Sequence, residues 1–525
     1  MANEPTFKKS SLKTTSLKTK LMAKKSITQI QSEADNHEFK RTLGKWNLLS
    51  LGIGCIIGAG IFSLTGAAAA NHAGPAIMIS FIIAGFACAF AGLCYAELAS
   101  VLPVSGSAYT YAYATLGEVF AWIMGWLLVL EYGLAASTVA VSWSGYLVSF
   151  LMGFDIVIPP EFTTAFGEAI KVVNPANQAI FAAQGYGFTE KGEMLNASGA
   201  IMTGIFNAPA VCGIWAVTCL LIVGMKESAN VNNVIVAIKL FVIIAFITLG
   251  AFYVNADNWV PFMPANEGDG KYGWSGVFRA ASIIFFAYVG FEAVSTAAAE
   301  AKNPKKDIPF GIIGSLIVCT ILYMFVAAVL TGLVDYRLLS VPDPMAVAVD
   351  AIGLKWFSVL IKVGAIAGLS SVMLVLLFGQ TRVFYTMSKD GLLPKFFHKI
   401  HPKTQTPWIN TLVVGFAVSC GAGLLPIEKL GDLVSLGTLA AFSIVCFSVL
   451  WLHYKEPHLE RPYNVPFKPF IPIAGILTCG GLIYTMVSTM HSDTKMQFGV
   501  FLAIGAVVYA TYGIKNSAMR HNLKK

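Results

Sequence analysis

Charged side chains stand alone in stretches of this chain that are otherwise apolar. Lys239 lies in "NNVIVAIKLFVII", Glu131 in "LVLEYGLAAS" and Glu292 in "FFAYVGFEAVST". A lone charged side chain in hydrocarbon costs ~2.5–3.5 kcal/mol on insertion scales, so each is expected to face a cavity or a partner. Burial disfavours the charged form of an amine or a carboxyl, which opens proton exchange to Lys239 and Glu131. Lys239 reads either as a proton carrier or as a structural cation bonded to opened carbonyls or to an acid. Glu131 reads as a polar group beside a ligand or in a proton path, or else as a neutral carboxyl hydrogen-bonded between helices. Glu292 either gates or anchors the segment that follows Gly290, or caps a helix there.

Glycine clusters mark where such a cavity would form. "GIGCIIGAGIF", Gly52 to Phe62, places four glycines inside an apolar run. Its spacing departs from a dinucleotide-binding G-x-G-x-x-G and no strand precedes it. Gly54 and Gly58 suit close helix packing. "GAGIF" is harder to explain by packing, because each interior glycine costs ~1 kcal/mol of helix propensity relative to alanine. An opened turn there leaves backbone groups that lipid cannot satisfy, so it must line a cavity. The half-helix beyond it directs a positive N-terminal end at the gap and favours a carboxylate. A second such place is "SIIFFAYVGFEAVST", Ser282 to Thr296, around Gly290. Two interrupted helices at corresponding places in two halves point to an inverted-repeat transporter with its site at the bilayer midplane.

The elements that must hold these breaks are membrane spans. Of 525 residues, 56% are hydrophobic and 12% charged, and the mean hydropathy is +0.68, more apolar surface than one soluble core can hide. About twelve runs approach the ~20 residues a bilayer-crossing helix needs. They group as spans 1–5 over 46–254, spans 6–10 over 275–454, and spans 11 and 12 over 470–514. A basic arm (1–45) and a basic tail (515–525) flank them. Lysine and arginine collect in the arm, around 300–307, 382–407 and 455–468, and in the tail, while the loops at 154–200, 255–273 and 334–356 are acid-rich. Both termini are therefore expected to be cytoplasmic, and the net charge of +8 reports topology, not nucleic-acid binding. The arm either touches anionic lipid or only fixes orientation. No apolar signal segment precedes the first span. All nine cysteines fall in apolar runs, without C-x-x-C spacing, and read as packing residues.

"GIGCIIGAGIFSLTG", "AGLCYAELASVLPVSGSAYTYAYATLGEVFAWIMGWLLVLEYGLAAS", "FFAYVGFEAVSTAAAEAKNPKKDIPFGI" and "GQTRVFYTMSKDGLLP" occur in that order. Together they resemble the amino acid, polyamine and organocation (APC) transporter superfamily, and within it prokaryotic relatives of the cationic amino acid transporters. The resemblance implies an all-α, twelve-helix membrane protein with a leucine-transporter-like five-plus-five inverted repeat and discontinuous helices 1 and 6. It implies an α-amino acid substrate, with no cofactor beyond the proton as coupling ion.

Site residues follow from the same resemblance. The N–H groups around Ala59 and Gly60 would hold the substrate carboxylate, and the carbonyls of Ile56, Phe286, Ala287 and Val289 its amino group. Lys239 would be the proton carrier bridging spans one and eight; Glu131, by the cost of its charge, would sit beside the substrate or in the proton path. Position in the chain, not the resemblance, makes Glu292 and Phe291, beside the second break, gating residues and places Arg382, at the basic end of span eight, in a cytoplasmic gate ion pair. The family often has Ser or Thr at position 59, so Ala59 leaves that end to main chain. Phe286 and Phe291 also suit plain packing.

Proton symport across the plasma (inner) membrane is the leading reading. Amino acid exchange and a non-transporting sensor are the alternatives, and a partner or oligomer contact through helices 11 and 12 stays open. No P-loop occurs, which disfavours ATP-driven transport, and an enzyme is disfavoured because no H-E-x-x-H occurs and the eight histidines are scattered or in loops.

Overall fold

The computed structural model describes residues 43–102, 108–190, 192–224, 229–297 and 300–522, so most of the basic arm lies outside the described residues. The principal helices are α1 (Lys45–Ile56), α2 (Ile77–Val101), α3 (Glu118–Leu128), α4 (Ala135–Met152), α5 (Ala208–Val223), α6 (Ala229–Gly250) and α7 (Gly273–Ile284). They continue as α8 (Pro304–Leu333), α9 (Pro344–Ile352), α10 (Lys355–Lys389), α11 (Trp408–Leu424), α12 (Ile427–Lys455), α13 (Phe470–Thr489) and α14 (Ser492–Val508). Among the described residues, nine helical stretches are long and apolar enough to cross a membrane, and α5 and α11 are apolar but shorter. The chain is an all-α, multi-spanning integral membrane protein. Its one strand pair among the described residues, Gly187–Phe188 with Met194–Leu195, lies in the acid-rich loop between α4 and α5.

Local chemistry sets the helix ends. Helix α5 starts where Asn207 accepts the Ala210 N–H at 3.2 Å and Pro209 occupies the first turn. It stops at Gly224, whose φ of +85° is a left-handed cap. The helical stretch Gly60–Val101 counts 42 residues. Straight, it would measure ~63 Å, twice a ~30 Å hydrocarbon layer. Gly74, at φ +58°, turns the chain and divides it in two.

Helix α8 packs against α1 and α2, α10 against α4 and α6, α5 against α11, and α12 against α13. Glycines set the closest approaches: a Cβ on Gly364 of α10 would collide with Val242 of α6. One continuous core fills the bundle, with a separate cluster of Met152, Ile170, Phe181 and Met194 under the loop after α4.

The C-terminal end is fastened to α3 by a buried ion pair. Arg520 Nη2 lies 2.9 Å from Glu118 Oε1, which also accepts the Tyr509 hydroxyl at 3.0 Å, while Ser517 bonds the other oxygen. Removing one partner of a buried pair strands the other charge. Glu118→Ala is therefore expected to lower unfolding stability by ~3–5 kcal/mol, read by denaturant titration of the purified protein, and to expose the tail to proteolysis.

Candidate functional site

The first interruption follows from its glycines. The final α-helical bond of α1 runs from the Ile57 N–H to the Ile53 carbonyl at 3.0 Å; Ile57 then adopts ψ 98° and the chain bends through Gly58. Helical structure resumes as a π turn, Gly60–Leu64. The second interruption ends a 3-10 turn, Phe285–Tyr288, at Val289, and Gly290 adopts φ +118°. Neither run is helical throughout, and the two breaks meet. A Cβ on Gly60 would collide with the Ala287 backbone, and one on Gly290 would lie 2.7 Å from the carbonyl carbon and oxygen of Cys55. Only hydrogen at these two positions allows that approach.

A cavity of about 20 Å³ lies between the breaks, bordered by Ile56, Gly58, Ala59, Gly60, Phe286 and Val289, with Cys55, Val139, Val372 and Leu376. It has room for about one water-sized sphere, too little for an amino acid. Every side chain on its wall is uncharged, and Ala59 brings no hydroxyl.

The polar residues expected from sequence fall into three groups. Lys239, 1% exposed, donates to the Gly54 carbonyl at 2.8 Å, three residues before the first break. Its stem runs along α10, where a Cβ on Gly368 would be 3.2 Å from its Cγ. Lys239 thus connects the broken helix to α10. Glu292 turns back on its own loop, its Oε2 accepting the Gly290 N–H at 2.8 Å. That bond satisfies a donor freed by the break.

Glu131 is not among the residues that line this cavity. It sits in a π turn, Val129–Leu134, near Glu292 and Tyr95. Both its oxygens, the Tyr95 hydroxyl, Glu292 Oε1 and the Gln380 amide are buried without a hydrogen-bond partner among the described residues. Phe291 likewise points away from the cavity, packing edge-on against Tyr95 and Phe442 at 5.7 and 5.1 Å between centroids. Arg382 is exposed and lies over the Phe378 ring at 4.7 Å; the expected ion pair is not found among the described residues.

Several partners had no signal in the sequence. The Ile56 carbonyl, expected to hold the ligand's amino group, already accepts the Tyr323 hydroxyl at 2.9 Å, and the Phe286 carbonyl accepts the Val289 N–H at 3.0 Å. Each keeps a second lone pair. Beyond the first break, Tyr146 donates to the Phe62 carbonyl at 2.6 Å and Ser63 to the Pro342 carbonyl at 2.6 Å. Arg279 binds both oxygens of Asp432, at 2.9 and 2.7 Å, and ties α7 to α12.

Two discontinuous helices face each other across a small cavity inside a multi-spanning membrane bundle. The amino acid permease family model matches residues 43–512. The chain is similar to the branched-chain amino acid permease BcaP of Bacillus subtilis, 44% identical over 505 residues, 96% of this chain and all of that one. It is also similar to the methylthioribose transporter of Bacillus subtilis, 41% identical over 499 residues, 95% of this chain and 99% of that one. Cationic amino acid transporter 4, vacuolar, of Arabidopsis thaliana is 35% identical over 422 residues, 80% of this chain and 64% of that one. The chain belongs to the amino acid permease family of the APC superfamily, related to the cationic amino acid transporters. It is a membrane transporter, and among the described residues no group of three or more His, Cys, Asp or Glu side chains is placed to hold a metal.

Proposed function

We propose that this permease carries an α-amino acid with an aliphatic side chain, together with a proton, by alternating access. The observation that carries the reading is the small cavity between the two breaks, bordered by residues of both and with uncharged side chains on its wall. A zwitterion needs donors for its carboxylate and acceptors for its ammonium. The N–H groups of Ala59 and Gly60 would serve the first, and the carbonyls of Ile56, Phe286, Ala287 and Val289 the second. Val139, Val372, Leu376 and Phe286 then meet the side chain, and each buried methylene contributes ~0.8 kcal/mol. A cationic side chain would find no counter-charge on that wall, since Glu131 lies off it. The name of the 44% identical BcaP supports the aliphatic reading.

The remaining roles follow from position. Lys239 is the proton-coupling group, its ammonium bridging the broken helix and α10. Glu131 belongs to the proton path: an unpaired carboxylate beside Glu292 is expensive to bury, so a proton or water accompanies it. Glu292 holds the second break and works as a gate there with Phe291, and Arg382 guards the cytoplasmic end of α10. The contacts of α2 with α8, α4 with α10 and α5 with α11 support the five-plus-five repeat, because they join corresponding spans of the two halves. Twelve spans, cytoplasmic termini and a plasma membrane location complete the reading.

The test is thermal stabilisation of the purified protein against the twenty amino acids and methylthioribose. Ligand at ~100 times its Kd adds ~2.7 kcal/mol to stability. Leucine, isoleucine and valine are expected to raise the melting temperature and arginine and lysine to leave it unchanged. Stabilisation by arginine or by methylthioribose in place of these would overturn the aliphatic assignment.

A further inference from the structure

A second cavity, of about 120 Å³, lies far along the chain from the breaks, under the acid-rich loop that follows α4. Its apolar wall includes Val148, Phe181 and Val347, and its polar wall includes Asp343, Ser149 and Asn177. The volume suits a molecule several times larger than a water. Gly145 lets the Pro342–Asp343 corner close against α4, since a Cβ there would lie 2.8 Å from the Pro342 side chain.

Of the two carboxylates at this cavity, one is in direct contact with a cation and the other is not. Asp350 is fully engaged: it takes Lys362 at 2.9 Å, Asn174 at 2.9 Å and the Ser358 hydroxyl. Lys362 is thereby committed, its other contact being the Ser149 carbonyl at 3.5 Å. Asp343 has the Ser149 hydroxyl and its own amide as hydrogen-bonding neighbours. Lys362 and Asp350 are the charged groups that face it, the Tyr146 phenol of α4 is the other titratable group near it, and Lys171 stands on the exposed rim. Burial pushes the Asp343 carboxyl up to about 6 in spite of Lys362. A cation seated beside it would repay that desolvation. A metal ion would want several oxygen ligands, and the described residues offer no such group. An ammonium needs a single carboxylate, and the apolar wall suits a hydrocarbon body.

We propose that this outer cavity binds a small aliphatic primary ammonium, with Asp343 as its counter-charge, at a site separate from the one between the broken helices. Occupancy bears on the moving parts, because the Pro342 carbonyl accepts Ser63 of the broken helix at 2.6 Å and Ser142 of α4 at 3.4 Å.

Isobutylamine is the probe: it carries the ammonium and a branched hydrocarbon but no carboxylate for the transport site to hold. Saturable binding to the full-length protein in nanodiscs is expected by saturation-transfer NMR, with isobutanol not binding. The carboxylate is almost wholly charged near pH 8 and about one-tenth charged near pH 5, so the affinity falls about tenfold between them. Asp343→Asn is expected to weaken binding by about tenfold or more and to flatten the pH dependence. Val347→Trp, which fills the cavity, is expected to abolish it. Each variant is first matched to the parent in melting temperature without ligand. Absence of saturable binding, equal binding of isobutanol, or binding unchanged in both variants would overturn the proposal. None of these results bears on the transport reading, which rests on other residues.

Discussion

Lys239→Ala is expected to abolish accumulation driven by a pH gradient in proteoliposomes while exchange of internal for external amino acid continues. The buried ammonium bonds the Gly54 carbonyl at 2.8 Å, just before the first break. A charge-assisted bond of this kind is worth ~1.5–3 kcal/mol. A carrier uses such a bond if it exists in one protonation state and not in the other. With the amine protonated, the broken helix is held to α10; with the proton gone, the link loosens and the two can part. Alanine removes the link in every state, so the proton no longer biases the conformational equilibrium. Substrate then equilibrates but does not accumulate. The buried surroundings of Lys239 include the Gly368 contact, so Lys239→Met, which keeps the stem's packing, separates lost charge from lost volume. Methionine should behave as alanine does. Proton-driven accumulation that persists in both variants would remove Lys239 from the coupling mechanism.

How much of this site could be read from the amino acids depends on whether one residue carried the signal. The breaks were legible because each interior glycine weakens a helix, and the Gly58–Gly60 cluster in one run and Gly290 in the other mark where it could open. Lys239 was legible for a similar reason: the cost of its charge belongs to the residue itself. Pairings were not. Arg279 with Asp432, Glu118 with Arg520 and the Ile56 carbonyl with Tyr323 join residues from different helices, and nothing in either partner's neighbourhood names the other. Orientation around a helix was also hidden. The cost of its charge leaves Glu131 beside a ligand, in a proton path or between helices, and the π turn Val129–Leu134, which departs from α-helical geometry, brings the carboxyl near Tyr95 and Glu292. π turns insert one residue per turn and shift everything after them, a change that composition cannot register. The outer cavity was invisible for both reasons, since Asp343 meets Ser149 and Lys362 only once the acid-rich loop has folded over α4.

Gly290→Ala is expected to reduce transport by about 100-fold or more, an effect of some 3 kcal/mol, and to leave Gly481→Ala, with nothing within 4 Å of its added Cβ, at the parent rate. Two penalties combine at Gly290. Its φ of +118° is a conformation that costs a residue with a side chain ~1–3 kcal/mol. The added Cβ would also lie 2.7 Å from the Cys55 carbonyl group, and that atom is main chain at the end of α1, with no rotamer by which to yield. Relief requires the two breaks to move apart. Separation opens the cavity in which both would grip the substrate, and it strains the Gly290 N–H bond to Glu292. Loss of affinity should therefore accompany loss of rate, whereas a fault confined to gating would slow transport and leave binding intact. Measuring the stabilisation by leucine alongside uptake distinguishes these. A Gly290→Ala protein that binds and transports as the parent does would mean that close contact between the broken helices is not what forms the site.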